Sequence, residues 1–297
     1  MTTQIVHSQV KSRLHQWLEQ QLSSESADWL AEKLQTLSET RSQPLLFSTF
    51  SAIARRLGKA DLQLTSADLQ AAEAARSGWQ PGHWSLDQAG RTLLILSLPA
   101  EPAERYQTTL ETLWDAADVN EQVALYQSLP LLPHAERFIS RAREGLRTNI
   151  TAVFNAIALY NPFPADYFET SAWNQMILKS VFIGSPLHQI YGLDRRANPE
   201  LARMLSDYAH ERWAAKREVT PELWRLVGPF LNEQLLADLE QAFDTANETQ
   251  QLAAALACAQ SSLPAAQTLL QQHPDIQTAI QSKQLDWQRF SQNYLAA

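Results

Sequence analysis

Apolar side chains recur along the chain at helical spacing. Val6, Val10, Leu14, Trp17, Leu18 and Leu22 fall on one face and predict a first helix, which Ser24-Glu25-Ser26 would end. Trp29, Leu30, Leu34 and Leu37 predict a second. Pro44 opens a third through Phe47, Phe50, Ile53 and Leu57, closing at Gly58. Thr65 or Ser66 caps a fourth, through residue 76. The loop 77–83 holds two Gly and a Pro, so a sub-division of the fold is expected near 77–84. Beyond it the punctuation repeats: Pro102, Pro133 and Pro164 stand 31 residues apart, each between two helical stretches such as 102–117 and 120–129. Helix pairs at such a period predict an α-solenoid of HEAT-like character. Short helices are expected at 231–245, 248–261, 264–272 and 275–295, and no strand anywhere. The expected fold is one all-α domain, 1–297.

Composition agrees with that pattern. Only 8 of 297 residues are Gly, far below the usual ~7%, which argues against glycine-dependent phosphate loops, sandwiches and barrels. A 45% apolar fraction supports a sizeable core. The net charge of −8 is a poor match to nucleic acid or an anionic membrane. Cys258, the single cysteine, sits in the apolar run LAAALACAQ and reads as a small buried hydrophobe. The N-terminal stretch has no apolar signal core, and the longest apolar run, Leu93 to Leu98, is far short of the ~20 residues a spanning helix needs. A soluble cytoplasmic protein is expected.

Residues 149–219 differ from the rest, because polar side chains interrupt apolar runs. Asn155 lies within VFNAI, Asn174 and Gln175 precede Met176-Ile177-Leu178, and Lys179 lies between Leu178 and Val181. On a helix over about 170–183 they cannot all face water. They either tie the segment to its neighbours or line a polar pocket. Gly184 suits the left-handed position after that helix. Asn198 before Pro199 reads as the cap of a helix over 199–216. On that helix Arg203 pairs with Asp207 at i, i+4, while Asp207, His210 and Glu211 form an acidic–imidazole group. Such a group serves as a charged face, binds a ligand, or does acid–base work with His210 as base. The chain has no HExxH, no CxxC and otherwise isolated histidines, so no metal site is expected, and no motif implies a cofactor. Arg137, Arg141, Arg143 and Arg147 give a basic helix, either a charged outer face or an anion dock. Trp213 and Trp224 are core residues or stacking platforms.

The stretches NPFPADYF, AWNQMILKSVFIGSPL and GLDRRANPELARMLSDYAHERWAA resemble the EboA family. That family is encoded beside a UbiA-type membrane prenyltransferase. In cyanobacteria its gene cluster is tied to exporting a pigment precursor to the periplasm. The resemblance implies a cytoplasmic, non-enzymatic component of a pathway that makes or moves a prenylated small metabolite. The implied partners are the metabolite, pathway enzymes or a membrane protein. It supplies no catalytic residues. The alternatives are an enzyme of the pathway using His210 with Asp207 or Glu211, and a pure docking scaffold. The candidate ligand-binding residues are Asn155, Asn161, Asn174, Gln175, Lys179, Arg195, Arg203, Asp207, Tyr208, His210, Glu211 and Arg212, with Asn198 as a structural cap.

Overall fold

The computed structural model describes residues 3–245 and 247–294, with side chains from residue 7 to 293. The Val6 side chain and the predicted helix end at 295 therefore lie outside what is described. Among the described residues there are eighteen α-helices and no strand, only an isolated bridge between Asp61 and Ser85. The chain forms two compact units, Met1–Phe168 and Glu169–Ala297. The loop 77–84 lies inside the first unit, with Trp79, Pro81 and Trp84 buried. The segment 149–219 has residues in both units.

The first unit contains α1 (Thr3–Gln21), α2 (Ser24–Thr40), α3 (Gln43–Leu57), α4 (Ser66–Ala75), α5 (Leu86–Leu96), α6 (Ala103–Ala116), α7 (Val119–Ser128), α8 (Ile139–Gly145), α9 (Thr151–Ala158) and α10 (Phe163–Tyr167). Side chains close to each end set the boundaries. Thr65 and Asp68 form a reciprocal capping box on α4, as do Asp118 and Glu121 on α7. Gly58 follows α3 at φ 82°. One boundary differs from expectation: Ser24-Glu25-Ser26 begin α2 rather than end α1. The cause is Ser23, whose hydroxyl accepts the Ser26 N–H and starts a new helix there.

Helix α5 packs on α1 and α3 and on α7, and α7 packs on α9. The starts of α5, α7 and α9 are 33 and 32 residues apart. Pro102 caps α6, Pro133 precedes the 3-10 turn Ala135–Phe138 before α8, and Pro164 lies in the first turn of α10. The row is held partly by charge. Arg91 of α5 is buried against Asp87, with Glu121 of α7 at 4.0 Å and the Phe50 ring of α3 at 5.4 Å. The arginines around α8 staple it to α6: Arg137 to Glu104 at 2.8 Å, and Arg141 to Glu111 and Asp115. Arg147 pairs with Glu144 at 3.0 Å.

The second unit contains α11 (Thr170–Ile183), α12 (Pro199–Ala214), α13 (Trp224–Val227), α14 (Glu233–Phe243), α15 (Glu248–Gln260), α16 (Pro264–Gln271), α17 (Pro274–Gln281) and α18 (Trp287–Tyr294). Helix α15 is central, with α13, α14, α16, α17 and α18 packed on it. Its LAAALAC run is buried, Cys258 included, and burial pushes that thiol up to about 12. Small side chains let neighbours approach its backbone. At Gly228 a Cβ would stand 2.6 Å from the Ala257 carbonyl oxygen, so only glycine fits. The expected helix 275–295 is broken. Residues 282–286 intervene, with Lys283 at φ 57° and Leu285 buried, so the chain turns and α18 starts afresh.

Candidate functional site

Two of the predicted polar residues do architectural work. Asn161 is 3% exposed. Its amide donates to the Tyr126 and Ala156 carbonyls at 3.0 and 2.9 Å, and its oxygen accepts the Phe163 N–H at 3.0 Å. Both N–H groups are thus used to tie α7 and α9 to the start of α10. Beside it, Asp166 pairs with Arg76 at 2.6 Å and Tyr160 stacks on His83 at 4.7 Å. Asn174, 1% exposed, exchanges amide hydrogen bonds with Asn198, at 2.9 and 3.3 Å. Asn198 also accepts the Leu201 N–H at 3.0 Å, so it caps α12 while pinning α11 to it. The amides of both asparagines are engaged by hydrogen bonds within the fold. Asn155 is half-buried on α9, and Gln175 is exposed on α11. Lys179 is half-buried, and desolvation pulls its ammonium below the ordinary lysine range.

The turn before α12 is built from cations on rings. Arg195 lies 5.4 Å from the Tyr191 ring centroid and Arg196 lies 4.9 Å from that of Trp173. Asp194 takes a two-pronged contact from Arg225, both arms at 2.6 Å. Arg225 is a partner that local sequence gave no sign of.

On α12 the apolar stripe Leu201, Leu205 and Ala209 is buried. Arg203 and Asp207 form the expected i, i+4 pair, exposed, at 2.6 Å. Tyr208 is half-buried and Glu211 exposed. Arg212 donates to the Glu218 carbonyl at 2.9 Å and shapes the following turn. His210 departs from expectation. Its Nε2 lies 2.6 Å from Asp238 of α14, not on Asp207 or Glu211. The same carboxylate accepts the Ser206 hydroxyl at 2.6 Å. Asp207 is taken by Arg203, so the acid–base group expected within one helix turn does not form. Asp238 was missed because it is 28 residues from His210 in sequence.

The order is serine–carboxylate–imidazole. In a nucleophilic triad the imidazole lies in the middle and takes the hydroxyl proton. Here the carboxylate lies in the middle, and Ser206 is buried on the inner face of α12. The arrangement orients His210 and activates no nucleophile. Among the described residues no three His, Cys, Asp or Glu side chains gather as a metal-holding group.

Past His210, the ring of Trp213 lies at 5.8 Å and is itself stacked on buried Trp224, also at 5.8 Å. Trp224 donates to Gln250 at 3.0 Å, and Gln250 donates to the Val219 carbonyl. These contacts make one wall of a groove of about 670 Å³ at the C-terminal end of α12. Trp213, Lys216, Arg217, Glu218, Thr245 and Asn247 are among the residues that line it, while His210 is not. Lys216 stands at φ 55° in the turn that opens the groove.

No helix among the described residues is long and apolar enough to cross a membrane. No curated protein and no solved structure is significantly similar to the chain. One family profile, described as metabolite traffic protein EboA, matches residues 10–228, from α1 through α13. That span is well over half of the chain and includes the α11–α12 segment, the turn 215–219 and five of the groove residues, Trp213, Lys216, Arg217, Glu218 and Val219. The chain belongs to the EboA family of metabolite traffic proteins.

Proposed function

We propose that the protein is a non-enzymatic binder of a small acidic metabolite in a traffic pathway, with the groove beside α12 as its ligand site. The observation that carries this reading is the composition of the groove: an indole face, and a lysine and an arginine that outnumber its one carboxylate, Glu218, with neutral polar Gln241, Thr245 and Asn247 around about 670 Å³. An indole holds a flat or apolar body, and the two cations hold an acid group. In line with the family resemblance, the pathway is one for a prenylated compound and the protein works in the cytoplasm, beside pathway enzymes or a membrane prenyltransferase. The α5–α7–α9 row is read here as a short helix-pair solenoid that presents surface to such partners.

A binding role fits better than catalysis. A catalytic reading needs His210 and further acid–base groups to face one pocket, and His210 lies outside the groove lining. A docking role has its own observation: Phe182, inside the family segment, is 73% exposed. Native against denaturing mass spectrometry of protein purified from its host tests the binding reading. A non-covalent mass lost on denaturation, and lost equally in Trp213→Ala with Lys216→Ala, supports it. A bare chain, or a bound mass that survives both substitutions, removes the groove as the site. Pull-down loss in Phe182→Ser with ligand binding intact would favour the docking role.

A further inference from the structure

A second opening lies wholly in the first unit, between α2, α3 and α6, with room for about 90 Å³. Its floor is apolar. Leu37, Leu46 and Tyr106 line it and are themselves buried. The Tyr106 hydroxyl donates to the Ile95 carbonyl at 3.3 Å, which leaves the ring as its lining surface.

The mouth is cationic. Arg41 and Arg105 line it, and neither makes an ion pair or side-chain hydrogen bond among the described residues. Both are exposed, as is Arg55, which is also without a carboxylate partner among the described residues, whereas four less exposed arginines of this unit are paired. Arg76, Arg91, Arg137 and Arg141 are each matched to a carboxylate. One carboxylate, Glu101, also lines the rim against the two guanidiniums; its side chain is 77% exposed and lies 3.2 Å from the His134 Nε2. Arg41 also occupies the left-handed position that ends α2, at φ 51°. Glycine is the favoured residue there, and an arginine adopts that backbone at a conformational cost. The start of α3 borders the same mouth through Ser42, so its positive dipole end adds to the two guanidiniums.

We infer that this opening binds a small amphipathic anion. A phosphate or carboxylate sits between Arg41 and Arg105, and a stem of a few carbons lies against Leu37, Leu46 and Tyr106. The site is separate from the groove of the second unit and does not depend on it.

The test is calorimetric titration of the full chain with hexyl phosphate, hexanoate, hexanol and inorganic phosphate. One of the two hexyl anions is expected to bind at least tenfold more tightly than either hexanol or phosphate. Which one binds assigns the head group. Arg41→Gly and Arg105→Gln each weaken that binding by about tenfold, the factor for one charge-assisted contact. Arg41→Gly melts no lower than the parent, because glycine suits its backbone, so loss of binding there is not loss of fold. Trp213→Ala leaves the affinity unchanged. The inference fails if neither hexyl anion binds, or if inorganic phosphate or hexanol binds as tightly. It also fails if either arginine variant binds like the parent, or if Trp213→Ala abolishes binding.

Discussion

Both units bury carboxylates, and they neutralise them in different ways. In the first, Asp87 and Glu121 meet the guanidinium of Arg91, and all three side chains are sealed inside the α5–α7 contact. In the second, Asp238 meets Ser206 and His210, and Glu222 meets His188, the Leu187 and His188 N–H groups and Ser291. There the partner imidazoles reach the surface: His210 is 48% exposed and His188 27%. The difference is whether water can replace the partner. A sealed cation is irreplaceable, so the first cluster is committed to the fold. An imidazole at the surface can be removed or turned away and solvent can take its place, so the second cluster is free to serve a surface function.

The largest test falls on the sealed cluster. Arg91→Leu leaves two buried carboxylates without their cation and should cost about 3–5 kcal/mol. Urea unfolding would show it as a lower midpoint with an unchanged slope. Adding Asp87→Leu should recover part of the loss, because the charge left behind is the main penalty. A single variant as stable as the parent would mean that water reaches Arg91, and the contrast between the units would collapse.

The next test falls on the open cluster. Asp238→Ala strands the Ser206 hydroxyl in the core and should cost about 1–3 kcal/mol. His210→Ala should cost under about 1 kcal/mol, since water fills the vacated position beside Asp238. Asp207→Ala breaks only the exposed pair with Arg203 and should move stability by under about 1 kcal/mol as well. If His210→Ala destabilises as much as Asp238→Ala, the imidazole is a core fixture and the second cluster resembles the first.

What could be read from the sequence divides along the same line. The Asn198 cap, the Thr65 cap, the closing Gly58 and Gly184 and the Arg203–Asp207 pair all involve residues within about four positions of one another. Helix geometry alone brings such residues together. The Arg91–Glu121, His210–Asp238 and Asp194–Arg225 pairs span about 30 residues, and packing chose them. Asn174 stands out because it interrupts an apolar run, and Asn161 because it belongs to the family-like stretch NPFPADYF. Neither sign can separate a ligand group from a tie, and their partners, two carbonyls and a second amide, carry no sequence signal. Trp213 was visible, but the groove beside it needs Thr245 and Asn247 from the α14–α15 end of the chain.

The smallest effect probes the sealed side by pH. His83 stacks its ring on Tyr160 while keeping an exposed edge. Desolvation pulls it down to about 4 and outweighs its hydrogen bond to the Gln80 carbonyl. Its unfolded value is near 6.5. The unfolded chain therefore takes up the proton first as pH falls. The stability is fully present above about pH 6.5, declines between 6.5 and 4, and is level below 4. His7 is shifted in the same direction by burial, so it adds to the slope. Asp68 and Glu104 are shifted down from carboxylate values of 3.8 and 4.5, so their contribution is lost only at lower pH. Urea midpoints between pH 7.5 and 5 thus report mainly the histidines. His83→Gln should flatten that slope, and His7→Gln should flatten the remainder. The exposed edge of His83 admits solvent screening, which keeps the change modest. An unaltered slope in both variants would show that water solvates these rings in the folded protein, and that the first unit is sealed only around Arg91.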